Sequence, residues 1–238
     1  GQGSSNTEGS INTTYTSAST TSGFSIVTYT GTGANADVGH GLGKVPKIIM
    51  VKQLNGTNDW RVYTATTGNT SQMSLNTGSA ADSGNTTMWN STTPTANLFY
   101  LGTHGSVNGS SNTYVAYCFA DVQGFSKMGS YIGNGNTDGT FVYTGFKPAF
   151  IIMKTSSIAD NNWILFDSKR LGYNVSNDNL VPNAASTEQT GLDIDLLSNG
   201  FKMRGTQNDF NGSGGTYIYM AFAEEPLVSS NGTPATAR

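Results

Sequence analysis

Apolar residues along this chain gather in short runs separated by glycine, asparagine, aspartate and serine. Runs at 24–30, 47–53, 60–64, 71–76, 86–90, 97–101 and 113–121 read as the strands of a first unit. A second series at 125–132, 140–144, 149–155, 163–167, 192–197, 200–204 and 216–223 reads as those of a second. The separators carry the residues that tolerate positive φ, as tight turns require. No stretch keeps a capped helical period, although 167–175 and 180–190 each have room for a short helical turn. Such a spacing of short strands predicts an all-β fold of β-sandwich or jelly-roll type.

The pattern is also written twice. Val45-Pro46-Lys47-Ile48-Ile49-Met50-Val51-Lys52 returns as Lys147-Pro148-Ala149-Phe150-Ile151-Ile152-Met153-Lys154, a shift of 102 (148 minus 46). Gly23-Phe24-Ser25 recurs as Gly124-Phe125-Ser126, Asn58-Asp59-Trp60 as Asn161-Asn162-Trp163, and Asn108-Gly109-Ser110 as Asn211-Gly212-Ser213. Thr113–Ala120 comes back as Thr216–Ala223. The chain thus divides into a polar arm (1–22), two tandem, pseudo-symmetric sandwich units (23–122 and 123–226) and a tail (227–238). Only Val122-Gln123 connects the units, which predicts that they are joined without a flexible linker.

Some strands are apolar on both faces. Successive residues of Ile48-Ile49-Met50-Val51 and of Tyr114–Phe119 point to opposite sides of a sheet. One side fills the sandwich; the other needs cover from the other repeat, from a second copy or from a long loop. Ile49, Val51, Tyr117 and Phe119 are therefore candidate assembly residues. The arm is nearly all Gly, Ser, Thr and Asn, a linker composition, with Ile11 and Tyr15 as its sizeable apolar side chains. Ordering such a segment takes contact with another subunit or with the repeats, which adds Ile11 and Tyr15 to the assembly candidates.

Composition narrows the function. Charged residues are 11% of the chain, against roughly 25% in an ordinary soluble domain. A net charge of -3 with 12 scattered basic residues offers no footprint for a phosphate backbone, so nucleic acid is not an expected partner. No run is long enough for a membrane span, and none reads as a signal peptide. The start at Gly1 carries no weight either way. Cys118 is the single cysteine, read as a buried thiol, and it excludes an internal disulfide and a cysteine-rich zinc site.

Candidate chemistry is sparse. His40 and His104 sit in glycine-rich turns of the first repeat, opposite Val142 and Gln207 in the second, and read as solvated turn residues. Sugar hydrolysis needs two carboxylates about 5–9.5 Å apart. Asp193 and Asp195 offer the best pair, with a solvated strand face as the plainer reading. Asn134, Asn136 and Asp138 alternate before Gly139 like a calcium loop but lack the bidentate glutamate, and a glycine-rich hairpin explains them as well. Trp60 and Trp163 open strands in matching places, and Trp89 has no aromatic counterpart. All three are candidate ligand-stacking residues, with core packing as the alternative. Sequons such as those at Asn12 and Asn90 are what an Asn/Ser/Thr-rich chain yields by chance. No cofactor or metal is expected.

Four strings together carry a resemblance: Gly23–Gly33, Val38–Gly43 with Pro46, Tyr114–Ala120 and Gly124–Tyr131. Over about Gly23–Pro226 the chain resembles a repeated β-domain of virion structural proteins of tailed phages, notably marine ones, of tail-fibre or appendage type. The resemblance implies a non-enzymatic virion structural protein (tail fibre, appendage or capsid decoration) at the virion surface. It also implies homo-oligomerisation, other virion proteins as partners, and adhesion to a host surface glycan. It carries over no active-site residues. A lectin-like module outside any virus, a filament subunit that donates its arm to a neighbour, and a glycosidase using Asp193 and Asp195 remain the alternatives.

Overall fold

The computed structural model describes residues 3–170 and 173–224. The tail (227–238) and part of the 167–175 stretch lie outside the described residues. The chain forms two units: one runs to Leu75 and adds Ala81–Asp121, the other combines Asn76–Ala80 with the chain from Val122 onward. The arm therefore belongs to the first unit, and the loop 76–80 to the second.

In the first unit a seven-stranded antiparallel sheet comprises β1 (Tyr15–Ser19), β2 (Phe24–Thr30), β4 (Ile48–Gln53), β5 (Arg61–Thr64), β6 (Ser71–Ser74), β7 (Asp82–Ser83) and β9 (Thr113–Phe119). Its spatial order is β1-β2-β9-β4-β5-β6-β7. β3 (Ala36–Gly39) pairs with β8 (Leu98–Leu101) as a second, smaller sheet. Alternation sends Val27, Tyr29, Ile49, Val51, Tyr63, Ala116 and Cys118 to one face, where they meet Val38, Phe99 and Leu101 in one core. Two sheets closed on a shared core make a β-sandwich.

The second unit repeats the principle with different counts. β10 (Ser126–Ile132), β12 (Pro148–Thr155), β13 (Ile164–Asp167) and β16 (Thr216–Ala223) form one sheet, in the order β10-β16-β12-β13. β11 (Phe141–Tyr143), β14 (Ile194–Leu197) and β15 (Gly200–Met203) form the other, in the order β11-β15-β14. Ile151, Met153, Phe166, Tyr219 and Ala221 of the first sheet share a core with Val142, Ile194, Phe201 and Met203 of the second. The units are thus not strand-for-strand copies.

What they share is a polar hub at one end of the sandwich. Tyr29 stacks on Tyr114 at 5.2 Å and Tyr131 on Tyr217 at 5.0 Å between ring centroids. The Tyr29 hydroxyl donates to Val107 O at 2.7 Å, that of Tyr131 to Phe210 O at 2.6 Å. Asn108 Nδ2 donates to Ala34 O and Gly102 O, and its Oδ1 accepts from Thr32 N. Asn211 makes the matching set with Asn136 O, Gly205 O and Asn134 N. Such close approach requires glycine: a Cβ at Gly133 would lie 2.3 Å from Gly212 O.

Some sequence expectations are corrected. The stretch 86–90, read as a strand, is a turn. Asn85 Oδ1 accepts from Thr87 N and Met88 N, and Asn90 and Ser91 take positive φ, so the backbone curls beneath Trp89. β1 and β3 were hidden because their residues are polar or small and show no apolar alternation. β1 is held by its pairing with β2, and Ile11 bridges to Val38 in parallel. The described helical turn lies at Gly105–Asn108 (α1), not at 180–190.

Candidate functional site

A cleft of about 290 Å³ opens in the second unit, lined among the described residues by Lys147, Ser168, Lys169, Tyr173, Asn174, Ser176, Leu196 and Glu224. One wall is the segment 173–176 laid along β14. Ser176 and Ile194 exchange backbone hydrogen bonds, 2.9 Å each way. Asn174 Nδ2 donates to Leu196 O at 3.0 Å and its Oδ1 accepts from Leu196 N at 2.9 Å. Ser168 closes the far side, its N–H donating to Ala149 O. Fixing both walls to sheet backbone makes the cleft preformed.

The rim carries the charge. Glu224 pairs with Lys169 and lies 3.9 Å from Lys147 Nζ. The hydrogen bond from Lys169, with the charges of Lys169 and Lys147, holds the Glu224 carboxyl below its usual range despite the opposing effect of partial burial. Tyr173 stands 73% exposed beside this group. Ser168 Oγ and Ser176 Oγ are buried without a hydrogen-bond partner. None of these residues was a sequence candidate. Tyr173 lies in a stretch without strand periodicity, and no sequence pattern separates its ring from any other loop tyrosine.

The tryptophans lie elsewhere. Trp89 is 2% exposed, its indole N–H donating to Ser71 O at 2.9 Å and its ring set edge-on to Tyr63 at 5.9 Å. Trp163 is 1% exposed. Both are packing residues, which corrects their candidacy as stacking surfaces. Trp60 is half-buried and stacks on Tyr117 at 6.0 Å, in line with Phe24.

Among the assembly candidates, Ile11, Ile49 and Val51 belong to the core of the first unit rather than to a surface. Tyr117 and Phe119 are half-buried on the opposite face of the sheet, and Phe24 contacts both. Tyr15, on edge strand β1, is exposed.

The remaining candidates have structural roles. His40 is buried, not solvated. Its Nδ1 accepts from Leu42 N, so the proton sits on Nε2, 3.2 Å from Thr95 O. Burial lowers its pKa, keeping the ring neutral. By strand register Val142 matches Val38, since they face Phe201 and Phe99, and Thr144 takes the place of His40. His40 N and Thr144 N donate to Asn97 O and Asn199 O. His104 caps α1 by accepting from Ser106 N.

Asp195 of the carboxylate pair and the glycine-rich loop are likewise occupied. Asp195 is bound by Arg204 Nε at 2.9 Å. Asn134 and Asn136 turn their side-chain oxygens onto the backbone N–H groups of Asn136 and Asp138, while Asp138 pairs with Lys202 at 2.7 Å. The loop is a self-bonded turn, and no cluster of metal-ligating residues occurs among the described residues.

Lys154 in β12 is fully buried. Its Nζ donates to Thr155 O at 2.9 Å and to Gly78 O at 3.3 Å. Burial lowers its pKa from 10.5 to about 8, against the pull of Asp209 and Asp160. The unfolded chain holds that proton up to its ordinary pKa, so it binds more protons than the fold across this window. Stability contributed by Lys154 therefore rises from about pH 8 to about pH 10.5. Cys118 acts oppositely: burial pushes its thiol from 9.0 up to about 12, so above pH 9 the unfolded thiol ionises first and stability falls. Urea unfolding of wild type and Lys154→Met at about pH 7.5 and pH 9.5 separates the two effects. The difference between them should shift toward wild type at the higher pH; a constant difference would mean that Lys154 keeps its ordinary pKa.

No curated protein and no solved structure matches the chain. One family model does, over residues 1–226 of the 238. It covers both sandwiches and the cleft, and the chain accordingly belongs to the family described as a domain of unknown function, DUF7483.

Proposed function

We propose that this chain is a non-enzymatic structural protein of a tailed-phage virion, set at the particle surface as a fibre, appendage or capsid decoration and contributing adhesion to the host. The observation that carries the reading is the use made of the polar residues found in both units. Asn108 and Asn211, Tyr114 and Tyr217 direct their polar atoms at backbone N–H and C=O groups of their own turns. A sequence that keeps hub and core in both halves, and neither histidines nor a carboxylate pair, is organised around a rigid scaffold. Few charges and a surface of hydroxyls and amides suit an extracellular assembly of several copies.

The test is direct. Mass spectrometry of density-purified particles should find the chain at a stoichiometry of several copies per virion. Absence from particles, or release of reducing ends from host polysaccharide by the purified chain, would overturn the reading. A lectin-like module outside any virus is the second reading, favoured by the cleft with Tyr173 at its rim. Donation of the arm between copies would require β1 to leave its own unit, where it already pairs with β2 along its length.

A further inference from the structure

The cleft combines three features that point to one class of ligand. First, Ser168 Oγ and Ser176 Oγ lack partners although both are buried, and Ser176 is only 3% exposed. A buried hydroxyl left unmatched is costly, and of the unmatched buried polar groups in this unit, which include the Asn179 amide, these two belong to residues that line the cleft. Each hydroxyl can donate and accept, and rotation about χ1 is enough to turn a serine oxygen toward the cleft its residue lines. A polyol has the same dual capacity.

Second, the Tyr173 ring projects at the mouth, on a segment held to β14 through Asn174 and Ser176. An exposed aromatic ring on a fixed segment offers a flat apolar surface with a polar tip. Third, two ammonium groups face one carboxylate. Lys147 Nζ, 3.9 Å from Glu224, is not saturated by it and has donors left for a further anion. Among the described residues the lining contains no arginine, the side chain whose planar fork suits phosphate. The volume, about 290 Å³, lies at the small end of ligand pockets.

We infer that this cleft binds the terminal residue of an acidic saccharide. The sugar face lies on Tyr173, its hydroxyls pair with Ser168 and Ser176, and its carboxylate meets Lys147. The inference rests on the adhesion reading for its biological sense, but the binding chemistry is independent of where the chain resides.

Calorimetric titration of the full chain with a hexuronic-acid trisaccharide, and with the neutral hexose trisaccharide of the same linkage, tests it. The acidic ligand should bind at least tenfold more tightly than the neutral one. Tyr173→Ala and Ser176→Ala should each weaken binding tenfold or more without lowering the melting temperature, since Ser176 Oγ holds nothing in the free fold. Lys147→Met should abolish the preference for the acid. No binding of either ligand, equal binding of both, or variants that bind like wild type would overturn the inference. The particle composition assay is read separately, so failure of the saccharide site leaves virion membership standing, and the reverse holds too.

Discussion

Asn211→Ala is expected to lower the stability of the second unit by about 3–4 kcal/mol, because it strands buried backbone groups as well as deleting contacts. Asn211 is buried, and its Nδ2 lies 2.7 Å from Gly205 O, 2.9 Å from Asn136 O and 3.1 Å from Asn134 Oδ1. Two protons serve three acceptors, so one bond is shared. Its Oδ1 accepts from Asn134 N at 3.1 Å. Alanine leaves Gly205 O without this donor in a buried position, while exposed Asn136 can turn its carbonyl to water. The estimate therefore stays below the sum of the bonds. Asn211→Asp is the sharper variant. Its carboxylate would face the Gly205 and Asn136 carbonyls, so the loss should equal or exceed that of alanine at neutral pH and partly recover as the acid is protonated. Chemical unfolding of both variants, read at neutral and at acidic pH, checks the magnitude and the pH signature. A loss below about 1 kcal/mol would show that the hub does not hold the turn.

How much of this was legible in sequence depends on the kind of signal. The apolar runs gave β2 and β16 to the residue, and most other strands to within two, because alternating apolar positions record burial directly. Recurrence of Asn108-Gly109 as Asn211-Gly212 marked the hub residues as kept, but Asn-Gly also signals an exposed hairpin turn. Composition could not say that these amides are buried. β1 was invisible because Tyr15–Ser19 is held by backbone pairing and not by its side chains. Reading 86–90 as a strand failed for the opposite reason: Met88 and Trp89 are core residues, but Asn85 delivers them from a turn. The cleft left no trace, since Tyr173, Ser168 and Glu224 converge from separate segments, and of the three only Glu224 has a like residue, Asp121, at the matching place of the first half.

The second large effect concerns Trp89, where sequence left stacking on a ligand and packing in the core both open. Trp89→Ala is expected to cost about 3–5 kcal/mol, as for other fully buried aromatic side chains. The ring fills the first unit's core between the turn 86–90 and β5, edge-on to Tyr63. Its indole N–H is also a donor to Ser71 O in β6. Trp89→Phe should restore most of the loss while leaving that carbonyl unmatched, a residual cost of about 1–2 kcal/mol. Trp60→Ala, at a half-buried ring resting on Tyr117, should cost only about 1 kcal/mol. Measured by urea unfolding, the order Trp89→Ala, then Trp89→Phe, then Trp60→Ala at or below it identifies Trp89 as a core residue. Any loss of saccharide binding in Trp89→Ala should then appear only where the protein is unfolding, whereas Tyr173→Ala should lose binding in a fully folded chain. Saccharide binding lost in a Trp89→Ala protein of undiminished stability would contradict the buried position and return Trp89 to the ligand surface.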